Sequence, residues 1–292
     1  MSEARALDER WLASHPLPGF ADAVDKSSRG QALVVGGGPH APAAPRLTAE
    51  AALRAGCGRV RVGVAAAMVP HLAAYLPEAG FVALPADAAG AIGPDAAETL
   101  AESVARADAM AIGPGMNDRE AASALTARLL AIGGAPALLL DCAACAGAGP
   151  LRASIAARGG RVVLTPHPGE MAQLTDRDPV EIESDPAAAA RAAARTFNAV
   201  VALRSAETWI AAPDGRLLHY PGGGIGLATG GSGDVGVGII LGLLARGAEP
   251  LVAAAWGTWA HGEAGRALGA PGFLAGDMLP LIRDLLQPPE QA

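Results

Sequence analysis

Short apolar runs alternate along the chain with longer segments in which apolar residues recur at helical spacing. The runs at 31–35 and 109–112 contain almost no polar side chain and end in glycines, which is typical of buried parallel strands. Strands are predicted at 31–35, 59–64, 81–84, 109–112, 137–140, 162–164, 199–203, 208–212 and 217–220. Helices are predicted at 47–55, 69–76, 95–105, 121–132, 184–197, 235–246, 249–268 and 277–287. This alternation predicts an α/β fold with a mostly parallel sheet and helices on both of its faces.

The length of 292 residues fits one large α/β domain. The pattern shows neither a linker nor an internal repeat. We therefore predict an N-terminal extension at 1–25, a single domain at 26–287 and a C-terminal tail at 288–292.

The most informative stretch is the glycine-rich turn Gly230-Gly231-Ser232-Gly233, which leads into Asp234 and an uncharged apolar helix. Such a turn leaves backbone N–H groups unpaired at a helix start, where the helix dipole also favours anions. A carboxylate there fits catalysis if Asp234 takes a proton from a hydroxyl while the amides hold a transferring phosphoryl group. The alternative is an ordinary turn in which Asp234 only stabilises the helix dipole.

Other candidate loops follow predicted strands, and ligands in open α/β sheets bind at the carboxyl ends of strands. Gly36–Gly38 lacks the spacing of a dinucleotide-binding turn, so it is either a tight turn or a close approach to a ligand. Gly113–Gly115 is a second glycine loop of this kind. Asp141 either contacts a ligand or caps its loop.

The loop Thr165–Glu170 holds His167 between two prolines, which leaves the imidazole little freedom to lose on binding. His167 is either a ligand for a ribose, amide or phosphate or a surface residue of a rigid turn. Glu170 either holds water around Mg²⁺ or caps its helix. The connector Arg204–Thr208 either donates to phosphate oxygens or is a solvated link between strands.

Charge and cysteine content exclude several classes of function. The net charge of −7 and the lack of a Lys/Arg cluster argue against a nucleic-acid partner. Cys142 and Cys145 have CxxC spacing but no second ligand pair, so we interpret them as buried structural thiols. The start of the chain does not resemble a signal peptide, and the sequence has no apolar run long enough for a membrane span. We expect a cytoplasmic protein.

Two motifs together resemble the ADP- or ATP-dependent NAD(P)H-hydrate dehydratase family, a branch of the ribokinase-like fold. They are LTPHPGE at 164–170 and ATGGSGD at 228–234. Supporting matches are VVGGG at 34–38, AALRAGCG at 51–58, AIGPG at 111–115 and HGEAG at 261–265. The resemblance covers about residues 26–287 and implies a three-layer sandwich with a mostly parallel central sheet.

This family restores NADH and NADPH from forms hydrated at C6 of the reduced ring. A nucleotide phosphorylates the C6 hydroxyl, and phosphate then leaves. The resemblance implies ADP as the donor, with AMP and phosphate as products, and Mg²⁺ as the phosphate partner without a dedicated protein cage. It also implies residue roles: Asp234 with Gly231 and Gly233 in catalysis, Ala44, Gly115, His167 and Asp234 at the hydrated dinucleotide, and Arg204, Ser205, Ala206, Glu207, Thr208 and Gly233 at the adenine nucleotide.

The chain departs from the family pattern at several positions. Arg204-Ser205 replaces the usual Lys-Gly, which leaves nucleotide affinity and the choice between ADP and ATP open. Many members carry an N-terminal epimerase domain that the leading residues are too few to form. A separate protein is then expected to interconvert the two epimers. The long apolar C-terminal helices permit assembly, so we also expect a homo-oligomer.

Two alternative functions remain open at this point. One is a kinase of the same fold that acts on a hydroxymethyl group, such as that of a vitamin precursor. The other is a nucleotide-binding homologue that has lost turnover. The loop at 164–170 favours the dehydratase because it resembles that branch specifically.

Overall fold

A computed structural model describes residues 3–20, 25–132, 134, 136–269 and 271–287. Its centre is one sheet of ten strands in the order β1-β10-β9-β8-β7-β6-β5-β2-β3-β4. The strands are β1 (Arg5–Ala6), β2 (Gln31–Val35), β3 (Arg59–Ala65), β4 (Gly80–Leu84), β5 (Ala109–Ile112), β6 (Ala137–Leu140), β7 (Val162–Leu164), β8 (Val200–Arg204), β9 (Thr208–Ala211) and β10 (Leu217–Tyr220).

The sheet is parallel from β4 through β8, and β9 is antiparallel to both of its neighbours. The chain starts this parallel part at β2, extends it to β4 on one side, and returns to β5 on the other. The order of strands therefore reverses between β2 and β5, and such a reversal opens a crevice at the carboxyl ends of the strands.

Helices cover both faces of the sheet and give the molecule three layers. They are α1 (Glu9–Ser14), α2 (Ala44–Arg54), α3 (Val69–Tyr75), α4 (Ala96–Arg106), α5 (Arg119–Ala131), α6 (Cys142–Ala146), α7 (Arg152–Ala156), α8 (Pro168–Thr175), α9 (Pro179–Ser184), α10 (Pro186–Phe197), α11 (Ser232–Ala245), α12 (Pro250–Leu268) and α13 (Ile282–Leu285). Side chains of a strand alternate between faces. Val34 accordingly joins the core under α2, α11 and α12, and Val35 joins the core under α4, α5 and α10. The predicted mostly parallel α/β sandwich is confirmed.

Helices α11 and α2 pack closely because two glycines of α11 face α2. A Cβ atom on Gly238 would lie 2.3 Å from the carbonyl oxygen of Thr48, and one on Gly242 would lie 2.5 Å from that of Ala52. Every residue of α11 from Val235 onward is buried. This contact fixes the depth at which the N-terminal end of α11 meets the strand ends.

All nine predicted strands are present within one residue of their predicted bounds. The helical segment predicted at 277–287 is present, but most of it is a 3₁₀ helix at Ala275–Leu281, which contains Pro280 and continues into the short α13. Helix α11 begins at Ser232, before the predicted residue 235, because Gly231 caps it in the left-handed conformation.

The predicted N-terminal extension contributes structure of its own. Strand β1 pairs with β10, Leu12 is fully buried, and the indole of Trp256 donates to the carbonyl oxygen of His15 at 2.8 Å. Residues 21–24 and the predicted tail at 288–292 lie outside the described residues. In the part of the chain that is described, no helix is both long and apolar enough to cross a membrane.

Candidate active site

The loops after β2, β5 and β6 touch one another through main-chain atoms. A Cβ on Gly36 would lie 2.3 Å from the carbonyl oxygen of Pro114, and one on Gly113 would lie 1.9 Å from that of Asp141. The N–H group of Gly37 also donates to Pro114 at 2.7 Å. Three strand ends named by the sequence analysis thus form one continuous edge of the crevice.

Ala44 and Gly115 lie together at this edge. Ala44 begins α2, and a Cβ on Gly115 would lie 2.9 Å from the Cβ of Ala44. One turn further along α2, the hydroxyl of Thr48 donates to the carbonyl oxygen of Asp234 at 3.1 Å. The two predicted substrate residues therefore adjoin the first turn of α11.

The N-terminal end of α11 has the features of an anion site. Gly231 has a φ of 86° and packs against Leu47, where a Cβ would lie 2.6 Å from the leucine side chain. Helix geometry leaves the N–H groups of Gly233 and Asp234 without partners inside the helix, and no described side chain caps them. Two amides are therefore available to hold a negatively charged group.

Asp234 lies beside these amides and is mostly buried. Burial and the nearby charge of Asp141 raise the pKa of Asp234 to about 7, against the opposing effect of Arg204. No described residue donates a hydrogen bond to its carboxylate. A carboxylate with this pKa and a free oxygen suits a general base at neutral pH.

Arg204 is fixed by acceptors from three different elements. Its Nε and Nη2 atoms donate to the carbonyl oxygen of Thr165 at 3.0 and 2.7 Å, and Nη2 also donates to Asp141 at 2.5 Å. Its Nη1 atom donates to the carbonyl oxygen of Gly233 at 3.3 Å. The sequence predicts Arg204 at the nucleotide and leaves Asp141 as either a ligand contact or a loop cap, but it does not reveal that the two side chains form an ion pair.

His167 and Glu170 cap helix α8 together. The Nδ1 atom of His167 accepts from the N–H groups of Gly169 and Glu170 at 3.0 and 3.4 Å, and the Glu170 carboxylate accepts from the N–H group of His167 at 2.9 Å. Burial and Asp141 raise the pKa of Glu170. The capping role that the sequence left open for Glu170 is thus present. The Nε2 atom of His167 lies 3.4 Å from the Glu170 carboxylate, but the side chain is 59% exposed, so a ligand can still reach the imidazole.

A cavity of about 620 Å³ adjoins this cluster. His167, Arg204 and Gly233 line one part of it, and α12 and the glycine segment 222–224 line another. Of the predicted nucleotide segment, Ser205, Ala206 and Thr208 also line the cavity. Glu207 does not, and its carboxylate instead contacts His219 at 2.5 Å.

His261 of α12, the first residue of the HGEAG motif, also lines the cavity. It is half-buried, and the loss of solvent around the imidazole, with the charge of Arg204, lowers its pKa to about 4. Its Nε2 atom lies 2.9 Å from the hydroxyl of Ser232 in the anion turn. Because Ser232 and His261 are 29 residues apart, the sequence does not reveal that α12 packs against the start of α11.

A larger groove of about 1020 Å³ lies among α5, α7, α8 and α10. The predicted site residues are all described, and none of them lines this groove. Among the described residues, no group of three His, Cys, Asp or Glu side chains could hold a metal ion. Cys57, Cys142 and Cys145 are free thiols, and burial raises the pKa of each.

Comparison with known proteins gives consistent matches over nearly the whole chain. The family described as NAD(P)H-hydrate dehydratase matches residues 32–287. The chain is 40% identical over 288 residues to the ADP-dependent (S)-NAD(P)H-hydrate dehydratase of Xanthomonas campestris, covering 97% of this chain and 96% of that protein. It is 39% identical to the bifunctional NAD(P)H-hydrate repair enzyme of Moorella thermoacetica, but spans only 54% of its length.

Among solved structures, a ribokinase-like superfamily protein from Enterococcus faecalis superposes with a TM-score of 0.79. The match covers 97% of this chain and 95% of that chain, at 24% identity. At this identity the likeness concerns the fold, which is ribokinase-like as the sequence predicts.

Proposed function

The chain belongs to the NAD(P)H-hydrate dehydratase family, and from that premise we propose that it restores NADH and NADPH from their C6-hydrated forms with ADP as phosphoryl donor. The observation that carries this proposal is the position of the half-buried Asp234 beside two unpaired amides, and its pKa, raised to about 7, suits a base. The Xanthomonas relative is named for the same reaction and for ADP.

In the proposed reaction, Asp234 takes the proton of the C6 hydroxyl while that oxygen attacks the terminal phosphorus of ADP. The bond from this phosphorus to the bridging oxygen breaks, and AMP leaves. The unpaired amides of Gly233 and Asp234 stabilise the charge of the transferring group. The new ester then loses phosphate from C6 and a proton from C5, which restores the ring double bond.

In this proposal the nucleotide occupies the 620 Å³ cavity and contacts Ser205, Ala206, Thr208 and Gly233. Glu207 lies in the same segment, 204–208, but its carboxylate contacts His219 and does not line the cavity, so we assign it to holding this segment in place. Mg²⁺ would be held chiefly by the phosphate oxygens and water, with Glu170 reaching it only through water. This ion would neutralise charge on the phosphates.

The hydrated dinucleotide would contact Ala44, Gly115 and His167, and because His167 also lines the nucleotide cavity, the two ligands would meet there. We also propose that residues 26–287 act as one catalytic domain in the cytoplasm, that the chain forms a homo-oligomer, and that a separate epimerase supplies the reactive epimer.

The deciding experiment is an absorbance assay on hydrated NADH with Mg²⁺ and either ADP or ATP. We expect the near-ultraviolet band of the reduced nicotinamide to return, faster with ADP, with AMP and phosphate as products. A stable phosphorylated product without recovery of that band would identify a kinase and overturn the proposal.

The activity should rise with pH through the pKa of Asp234. A base with a pKa of about 7 is mostly protonated at pH 6, so kcat/KM for the hydrate should fall about tenfold per pH unit below 7 and level off above it. The measurement is kcat/KM between pH 5 and 9 at saturating ADP. A profile that stays flat down to pH 5 would show that Asp234 is not the titrating base.

Two substitutions at His167 should separate its capping role from substrate binding. His167→Ala removes the acceptor for two N–H groups and should lower the free energy of unfolding by about 1 kcal/mol. His167→Asn keeps a capping oxygen and should retain most of that stability. If the imidazole binds the hydrate, both variants raise its KM, as steady-state kinetics beside denaturant unfolding would show. A normal KM in His167→Asn would leave His167 with the capping role alone.

A further inference from the structure

The Arg204 side chain connects the ends of two strands with the first turn of α11. We propose that Arg204 is a positioning residue, which holds the first turn of α11 and therefore Asp234 in place, and that it is not a main phosphate ligand. The catalytic part of this inference rests on the proposed function, whereas the structural part does not.

The donor count of the guanidinium supports this assignment. An arginine has five N–H groups. The contacts to Thr165, Asp141 and Gly233 use four of them. Within the described part of the chain, only one N–H on Nη1 lacks a protein acceptor. A phosphate held in the bidentate manner typical of arginine needs two parallel N–H groups, which are not free here.

The acceptor side is equally well defined. The Asp141 side chain is 1% exposed, and one of its oxygens accepts from both Arg204 and the hydroxyl of Thr165, at 2.8 Å for the latter. Its other oxygen lies 3.1 Å from the thiol of Cys142, which donates to it. Arg204 has little freedom to turn toward a ligand. If it moved away, the buried carboxylate of Asp141 would be left without its ion-pair partner, which is costly.

The contact with Gly233 links this network to catalysis. Gly233 immediately precedes Asp234 and carries one of the two unpaired amides. Its carbonyl oxygen accepts from Arg204 of β8, and that of Asp234 accepts from Thr48 of α2. The first turn of α11 is therefore held by two neighbouring elements, and a displacement of about 1 Å there would lower the rate strongly.

The charged groups around Asp234 come from neighbouring strand ends. Asp141 follows β6 and Arg204 ends β8, and both act on Asp234. Glu170 of α8 and His261 of α12 lie within electrostatic range of Arg204. The positive charge of Arg204 thus lowers the pKa of Asp234 and opposes the increase caused by burial and by Asp141.

Arg204→Lys is the discriminating variant because it keeps the charge. A lysine has three donors on one atom and cannot span the acceptors of Thr165, Asp141 and Gly233 together. Arg216→Lys is the matched control, since Arg216 lies on the exposed β9–β10 turn and pairs with Asp214 and Glu249. The first measurement is hydrogen–deuterium exchange of residues 228–240 in the ligand-free protein.

We expect Arg204→Lys to speed exchange by about tenfold at the amides from Val235 onward, which are the first to donate to carbonyl oxygens of the first turn of α11, and Arg216→Lys to leave it unchanged. In the assay, kcat should fall by about 10- to 100-fold, with a smaller loss of ADP affinity in direct binding. Unchanged exchange would overturn the proposal. So would a loss of ADP affinity larger than the loss of kcat, which identifies a phosphate ligand.

Thr165→Val provides a second variant if Arg204→Lys does not fold. It removes the hydroxyl that donates to Asp141 while leaving every atom of Arg204 in place. We expect faster exchange at the same peptide, by a smaller factor than for Arg204→Lys, and no effect on exchange would contradict the proposal. If the wild-type protein fails to restore NADH, the proposed function falls, whereas the exchange data on ligand-free protein still decide the role of Arg204.

Discussion

Replacement of Asp234 by asparagine is expected to lower kcat by about two to four orders of magnitude while ADP still binds. Asparagine has nearly the same shape as aspartate but cannot take the proton of the C6 hydroxyl. The unpaired amides of Gly233 and Asp234 belong to the main chain and are unchanged by the substitution. The measurements are the absorbance assay and calorimetric titration with ADP. Full turnover in the variant would remove Asp234 from the mechanism.

Asp95→Asn is a suitable control, since that carboxylate is 84% exposed and contacts the exposed side chain of Arg128. The folded state of Asp234→Asn can be checked through linkage. The pKa of Asp234 is raised from 3.8 to about 7 in the folded protein, so this residue lowers stability progressively as pH rises from about 4 to about 7. Relative to wild type, the asparagine variant should therefore gain thermal stability between pH 5 and pH 8.

The largest expected effect on stability comes from Gly113→Ala. Gly113 has a φ of 124°, and the added Cβ would lie 1.9 Å from the carbonyl oxygen of Asp141. Both the strained backbone and the main-chain overlap oppose folding, for a combined loss of about 2–5 kcal/mol in the free energy of unfolding. Denaturant unfolding would measure this loss.

Gly90→Ala separates the two causes. Gly90 also has a positive φ, of 87°, but a Cβ there would meet nothing within 4 Å. We expect this variant to lose only about 1–2 kcal/mol, from backbone strain alone. Equal losses at the two positions would mean that the loop after β5 relaxes away from Asp141 without penalty.

The strands could be predicted because they are short, apolar on both faces and ended by glycine or proline, as at 31–35 and 109–112. The start of α11 was harder to place. Its first turn depends on Gly231 in the left-handed conformation, and sequence alone does not show which glycine of a run adopts it. The two-residue strand β1 was missed because its pairing with β10 is set by packing far along the chain.

The candidate site was foreseen as separate loops and not as a network. Asp141 and Arg204 are 63 residues apart, so no local pattern reveals that they form an ion pair. The same holds for Ser232 and His261, which meet only because α12 packs beside α11. Capping of α8 by His167 and Glu170 is local, and the sequence contained both residues at the required spacing.

The crevice edge described above consists of backbone touching backbone at Gly36, Gly113 and Gly115. The shape of this edge is thus set by main-chain contacts and not by the side chains of those loops. In a saturation library of the gene, these three codons should tolerate almost nothing but glycine, whereas exposed neighbours such as Pro39 and His40 should accept many residues. Substrate preference can then evolve at the neighbours without rebuilding the frame.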